Sequence, residues 1–133
     1  LSPADMRKYV LPWHKKIVDT IHNAGKPVIL HSCGKLDDVM DDVIQMGYDA
    51  KHSYEDIIEP VENFYQRING KIAVLGGIDL DFIINSPHTQ IRKRCVDILK
   101  LSEKKGAYAL GTGNSVPEYV PDENYFAMID TVR

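Results

Sequence analysis

Disulfide frameworks are out of reach for this chain. Its 133 residues hold two cysteines, Cys33 and Cys95, and so few imply a reducing, cytoplasmic setting rather than a stapled secreted fold. Long hydrophobic runs are missing too: no stretch approaches the roughly 18 apolar residues that a membrane helix needs, and no secretory signal opens the chain. A membrane is therefore not an expected partner. An excess of positive charge is also lacking, with 16 Lys and Arg against 19 Asp and Glu and a net charge of -3, which argues against nucleic acid. The one dense basic stretch, Arg92-Lys93-Arg94, falls in a helical pattern and reads as a solvated face. What remains is an ordinary balance of 44% hydrophobic and 26% charged residues, enough for one domain with a modest core. The chain opens on Leu1 rather than Met, and an apolar pattern is still running at Arg133; it reads as cut at both ends.

The most informative stretch is Pro27-Val28-Ile29-Leu30-His31-Ser32-Cys33-Gly34. A short apolar run passes at once into a polar, metal-capable tip. Continuous apolar runs suit strands covered on both faces, as in parallel sheets, and in such folds chemistry gathers where strands end.

Around it the chain repeats one unit. Ser2-Pro3-Ala4-Asp5 carries a helix-capping signal, and Pro12 suits the first turn of a second helix, with Trp13, Ile17 and Ile21 on its apolar face. After the strand at 27–31, Leu36, Val39, Met40, Val43 and Ile44 give a helical face that Gly47 stops. A mixed strand at 48–53 precedes a helical face of Ile57, Ile58, Val61, Phe64, Tyr65 and Ile68. The clearest strand, 71–78, ends in Gly76-Gly77-Ile78-Asp79. Ser86-Pro87 opens a helix with Ile91, Cys95 and Ile98 on one side. A fourth strand at 107–111, a loop to Pro121 and a helix from Asp122 to Arg133 complete the chain. Strand, loop, helix and glycine, four times over, predict α/β structure with parallel strands. Four such units make half of a (β/α)8 barrel, and an open flavodoxin-like sheet is the rival arrangement.

Several residues at these strand ends have the chemistry of a site. His31 and Cys33 lie two apart, hence on one side of a strand, and imidazole plus thiolate suits zinc, which keeps about three protein ligands and an open position in catalytic sites. His52 and Asp79 end the next two strands and are candidate catalytic residues or further ligands, as is Asp81; His52 can instead cap a helical turn, and Asp79 and Asp81 can cap the turn at Phe82 to Ile84. The glycine-rich stretches at Gly77 and at Gly111-Thr112-Gly113-Asn114-Ser115 give Gly77, Thr112 and Asn114 as candidate substrate contacts, through backbone N–H groups that can approach a phosphate or carboxylate. The same glycines can serve only to make tight turns. Cys95, mid-helix on the apolar side, reads as a buried inert thiol, and His14, His22 and His88 as surface residues.

Taken in order, Leu11-Pro12-Trp13, His31-Ser32-Cys33-Gly34, Leu75-Gly76-Gly77-Ile78-Asp79, Leu110-Gly111-Thr112-Gly113 and Pro121 to Asn124 make the chain similar to the C-terminal half of the uroporphyrinogen decarboxylase superfamily. That superfamily also holds methylcobalamin:coenzyme M methyltransferases and corrinoid-dependent demethylation enzymes. The resemblance implies a TIM barrel whose N-terminal half lies outside this sequence. Decarboxylase members carry a substrate-contacting His at the place of Thr112. Zinc methyltransferase members carry His-x-Cys, matched by His31 and Cys33, and a further Cys where Thr112 again stands.

The expected function is therefore zinc-dependent methyl transfer between a corrinoid, carried by a partner protein, and a thiol or similar small-molecule acceptor. Decarboxylation of uroporphyrinogen or a related polycarboxylate is the alternative. A non-catalytic module that binds a tetrapyrrole or a partner is the third reading. Alone, the chain is expected to be inactive and to self-associate as a homodimer through the open edges of its sheet.

Overall fold

A computed structural model describes residues 1–132. Four parallel strands, β1 (Ile29–His31), β2 (Ala50–His52), β3 (Ala73–Leu75) and β4 (Tyr108–Ala109), form one sheet in the order β1-β2-β3-β4. Each is joined to the next through helix, which is the α/β arrangement that the repeated unit predicts. His31, His52 and Leu75 share a register row, and Leu75 pairs onward with Ala109; the row before it holds Leu30, Lys51, Val74 and Tyr108.

The two rows face opposite ways because strand side chains alternate. Leu30, Lys51 and Val74 are buried, and Leu30 and Val74 belong to the hydrophobic core that the sheet shares with the helices. Val18, Val61, Ile83, Ile91, Cys95 and Ile98 are fully buried in that layer. On the other face Ile29, His31 and Ala109 are exposed, as the inner face of an unclosed barrel would be.

The first helical segment differs in detail from the expected pair of helices. Ser2 caps α1 (Pro3–Asp5) by accepting the Asp5 N–H at 3.1 Å, but the chain then runs through a π-helical stretch, Met6–Val10, directly into α2 (Leu11–Asn23). The wider turn makes room for Pro12, which has no N–H to give and crowds the preceding turn. Trp13 and Ile17, expected to pack, are 62% and 53% exposed; Leu11 and Val18 face the core instead. α2 precedes the edge strand β1, and among the described residues no further unit flanks it on that side.

A 3-10 turn (Asp37–Val39) leads into α3 (Met40–Met46), closed by Gly47 in the left-handed region at φ 94°, where glycine carries no steric penalty. α4 (Val61–Ile68) starts later than expected. Pro60 fixes its cap and leaves Ile57 91% exposed in the preceding loop. An unexpected short helix, α5 (Leu80–Asn85), follows β3 and precedes α6 (His88–Ser102). α7 (Asp122–Ile129) ends in a 3-10 turn, Asp130–Val132; Arg133, the expected end of that helix, lies outside the described residues.

Candidate functional site

The site is built on the C-terminal tips of β1 and β2, the end where barrel folds place their chemistry. Because His31 and His52 share one register row, their rings meet side by side, with centroids 5.0 Å apart and Nδ1 atoms at 2.8 Å. His52 Nε2 lies 3.1 Å from the Thr112 carbonyl oxygen. On its other side, His31 Nε2 faces Cys33 Sγ at 3.8 Å. Two donors point at the sulfur: the Ser53 hydroxyl at 3.4 Å and the Asn114 amide Nδ2 at 3.6 Å. These two contacts fix where the sulfur sits at the strand tips.

Ser53 supplies its hydroxyl from a left-handed backbone with φ 88°, a strained conformation for a residue with a Cβ. Its carbonyl accepts the Lys51 ammonium at 2.5 Å. Lys51 is 4% exposed, lies 4.0 Å over the Tyr54 ring, and forms no carboxylate ion pair among the described residues. Burial pulls its pKa down to about 8, against a smaller upward pull from Cys33. The small cavity beside it, about 30 Å³ between Gly34, Met40, Tyr54 and Phe64, is large enough to hold a water.

Of the residues expected from the sequence, His31, Cys33, His52, Asn114 and the carbonyl of Thr112 thus converge. The Thr112 hydroxyl turns away and donates to the Asn114 carbonyl at 2.7 Å. Asp79 is committed elsewhere: it caps α5, with Oδ1 accepting the N–H groups of Asp81 and Phe82 and Oδ2 that of Asp56 at 3.0 Å. Gly77 donates its N–H to the Thr112 carbonyl, and a Cβ there would lie 2.3 Å from Val61, so this glycine serves close packing. The Gly113 N–H donates to the Ile78 carbonyl at 2.7 Å and the Ser115 N–H to Asn114 Oδ1 at 2.8 Å. These two groups are therefore spent on contacts within the chain and not offered to an anion.

A cleft of about 410 Å³ opens beside Asn114, between the loops that follow β2, β3 and β4. Tyr54, Tyr119 and Asn114 line it together with Glu55, Asp79 and Asp81. Its wall is acidic.

Two residues escaped the sequence reading. Lys51 carries a signal in hindsight: it occupies the strand position beside His52 that must face the helices. Arg94, read as part of a solvated stretch, is instead a clamp. Its guanidinium donates to both Asp56 oxygens at 2.6 and 2.8 Å and to both Glu62 oxygens at 2.7 and 2.9 Å.

The parallel sheet, the helices on one side of it and polar groups at the strand tips define the barrel class of α/β proteins. The chain belongs to the uroporphyrinogen decarboxylase (URO-D) family, whose model matches residues 1–133. It is 26% identical over 133 residues to the uroporphyrinogen decarboxylase of Thermus thermophilus, covering 100% of this chain and 38% of that protein. It is also 26% identical to that of Carboxydothermus hydrogenoformans, covering 100% and 37%. Among solved structures, a methyltransferase from Methanosarcina mazei superposes with a TM-score of 0.77 at 20% identity, over 98% of this chain and 37% of that one. The chain thus spans a little over a third of the length of these relatives, and the fold is that of four consecutive units of such a barrel.

Proposed function

We propose that the protein is an enzyme of this family that transfers a methyl group from a corrinoid to a thiol, with His31 and Cys33 as zinc ligands. One observation carries the reading: His31 Nε2 and Cys33 Sγ face each other at 3.8 Å. Two ligands of a tetrahedral zinc with ordinary Zn–N and Zn–S lengths stand about 3.6 Å apart, so the pair is preset for one ion. No cluster of three such side chains occurs among the described residues, and the remaining ligands have to come from elsewhere in the protein. When bound, zinc supplies the Lewis acidity that keeps a substrate sulfur deprotonated at neutral pH.

The chain's own residues prepare that site. Ser53 and Asn114 donate to Cys33 and hold its sulfur in place, while the Lys51 ammonium holds the Ser53 carbonyl. In the overall reaction the acceptor sulfur bonds to the methyl carbon, the cobalt–carbon bond breaks with its electron pair left on cobalt, and the thiol proton is released. The corrinoid arrives on a partner protein, and the acceptor enters by the cleft beside Asn114.

The names of the family relatives favour decarboxylation of a polycarboxylate as the second reading. The acidic cleft wall speaks against it, because Glu55, Asp79 and Asp81 would repel a substrate rich in carboxylates. The test is to give the full-length protein methylcobalamin with a panel of thiols, and separately uroporphyrinogen. Thioether formation with loss of methylcobalamin supports the proposal; release of carbon dioxide from the porphyrinogen without any thioether would replace it with the second reading.

A further inference from the structure

We propose that His52 is a positioning residue: it sets the tautomer of His31 through a relay anchored on the Thr112 carbonyl. This rests on the reading of His31 as a ligand, but its logic needs no metal. The Thr112 oxygen has no proton to give, so the His52 Nε2 that lies 3.1 Å from it carries the hydrogen and donates. In a neutral imidazole the other nitrogen is then an acceptor. His52 Nδ1 therefore receives a hydrogen bond across the 2.8 Å gap, and the donor is His31 Nδ1. That leaves the lone pair of His31 on Nε2, the atom that faces Cys33 Sγ.

With both rings neutral, the two donor and acceptor choices, at the Thr112 carbonyl and between the rings, have one solution. Reversing either sets two hydrogens, or two lone pairs, against each other. The anchor is itself built into the fold. A Cβ on Gly76 would lie 2.2 Å from the Thr112 oxygen and 3.0 Å from the His52 ring; this glycine, at φ 77°, lets carbonyl and ring approach. The Thr112 oxygen is held from a second side by the Gly77 N–H at 3.1 Å. Metal-binding histidines are commonly fixed in this manner by a hydrogen bond at their other nitrogen.

The experiment is long-range proton–nitrogen NMR of the histidine rings in the metal-free, nitrogen-15-labelled full-length protein at pH 8, where an ordinary imidazole is neutral. His31 is expected to show its proton on Nδ1 alone, and His52 on Nε2 alone. In His52→Ala, His31 is expected to become a mixture of tautomers. In His52→Gln, whose amide can accept from His31 and donate to Thr112, the single form should return. Cobalt(II) affinity should fall about 10- to 100-fold in His52→Ala and recover in His52→Gln. A native His31 protonated on Nε2 would overturn the proposal without recourse to any variant, as would a His31 tautomer unchanged by His52→Ala. Absence of metal binding alongside the expected native tautomers would instead count against the zinc reading alone, since the relay is read without metal.

Discussion

Lys51 sets a buried cation against the rest of the site, and its cost should be visible in the pH dependence of folding. Burial lowers its pKa from 10.5 to about 8. Between those values the unfolded chain holds a proton that the folded chain has released, so stability rises with pH across that window and the full cost applies below about pH 8. A shift of this size corresponds to roughly 3 kcal/mol. Relative to Lys51→Met, the native protein should therefore gain stability from pH 8 to 10 in urea unfolding; a flat difference would show that the ammonium is not desolvated. The same ammonium holds the Ser53 carbonyl, and so helps to keep Ser53 at φ 88° with its hydroxyl on Cys33. The substitution is expected to loosen the Ser53 contact with Cys33 while it relieves the buried charge, a trade typical of strained functional positions.

At the scale of elements, Arg94 ties three pieces together: α6, α4 through Glu62, and the loop after β2 through Asp56. Burial disfavours the charged forms of both Arg94 and Glu62, but their hydrogen bonds and mutual charge outweigh it. They raise the Arg94 pKa and hold the Glu62 carboxyl below its ordinary value. Arg94→Ala leaves two carboxylates facing each other and should cost about 2–3 kcal/mol, discounted for partial exposure from the loss on breaking a fully buried pair. The Glu62 contribution is present above the ordinary Glu range and is lost as pH falls through its depressed folded value. Arg94→Ala should accordingly reduce the fall in stability on acidification; an unchanged acid limb in denaturation curves would contradict this role.

How far these features could be read in the sequence follows from what each depends on. The four units were legible because Pro27, Gly47, Asn69-Gly70 and Gly106 punctuate apolar runs of strand and helix period; the register that sets His31 beside His52 was not, because alternation within a strand does not fix its pairing with a neighbour. The outward rotation of Trp13 and Ile17 was not legible. Periodicity marks an apolar stripe without saying which neighbour is there to cover it. Arg94 reads as solvated for a related reason, since its partners Asp56 and Glu62 lie 38 and 32 positions away. Asp79 was left between capping and chemistry, and only coordinates show its carboxylate taken up by three backbone donors.

For the whole molecule, β1 and β4 are the sheet's outer strands, and Ile29, at 54% exposure, lies on a sheet face that a closed barrel would cover. Unpaired strand edges invite pairing with another copy. The 133-residue chain by itself should therefore run as a dimer or larger species in light scattering at high concentration; a clean monomer would contradict this expectation. No helix among the described residues is long and apolar enough to cross a membrane.

The measurement that bears most directly on the account is the zinc content of the full-length protein after gel filtration, beside a His31→Ala, Cys33→Ala version, by elemental analysis. About one zinc per native chain is expected, and its loss from the double variant. A native protein without zinc, after purification in its presence, would contradict the methyl-transfer mechanism drawn from these two side chains.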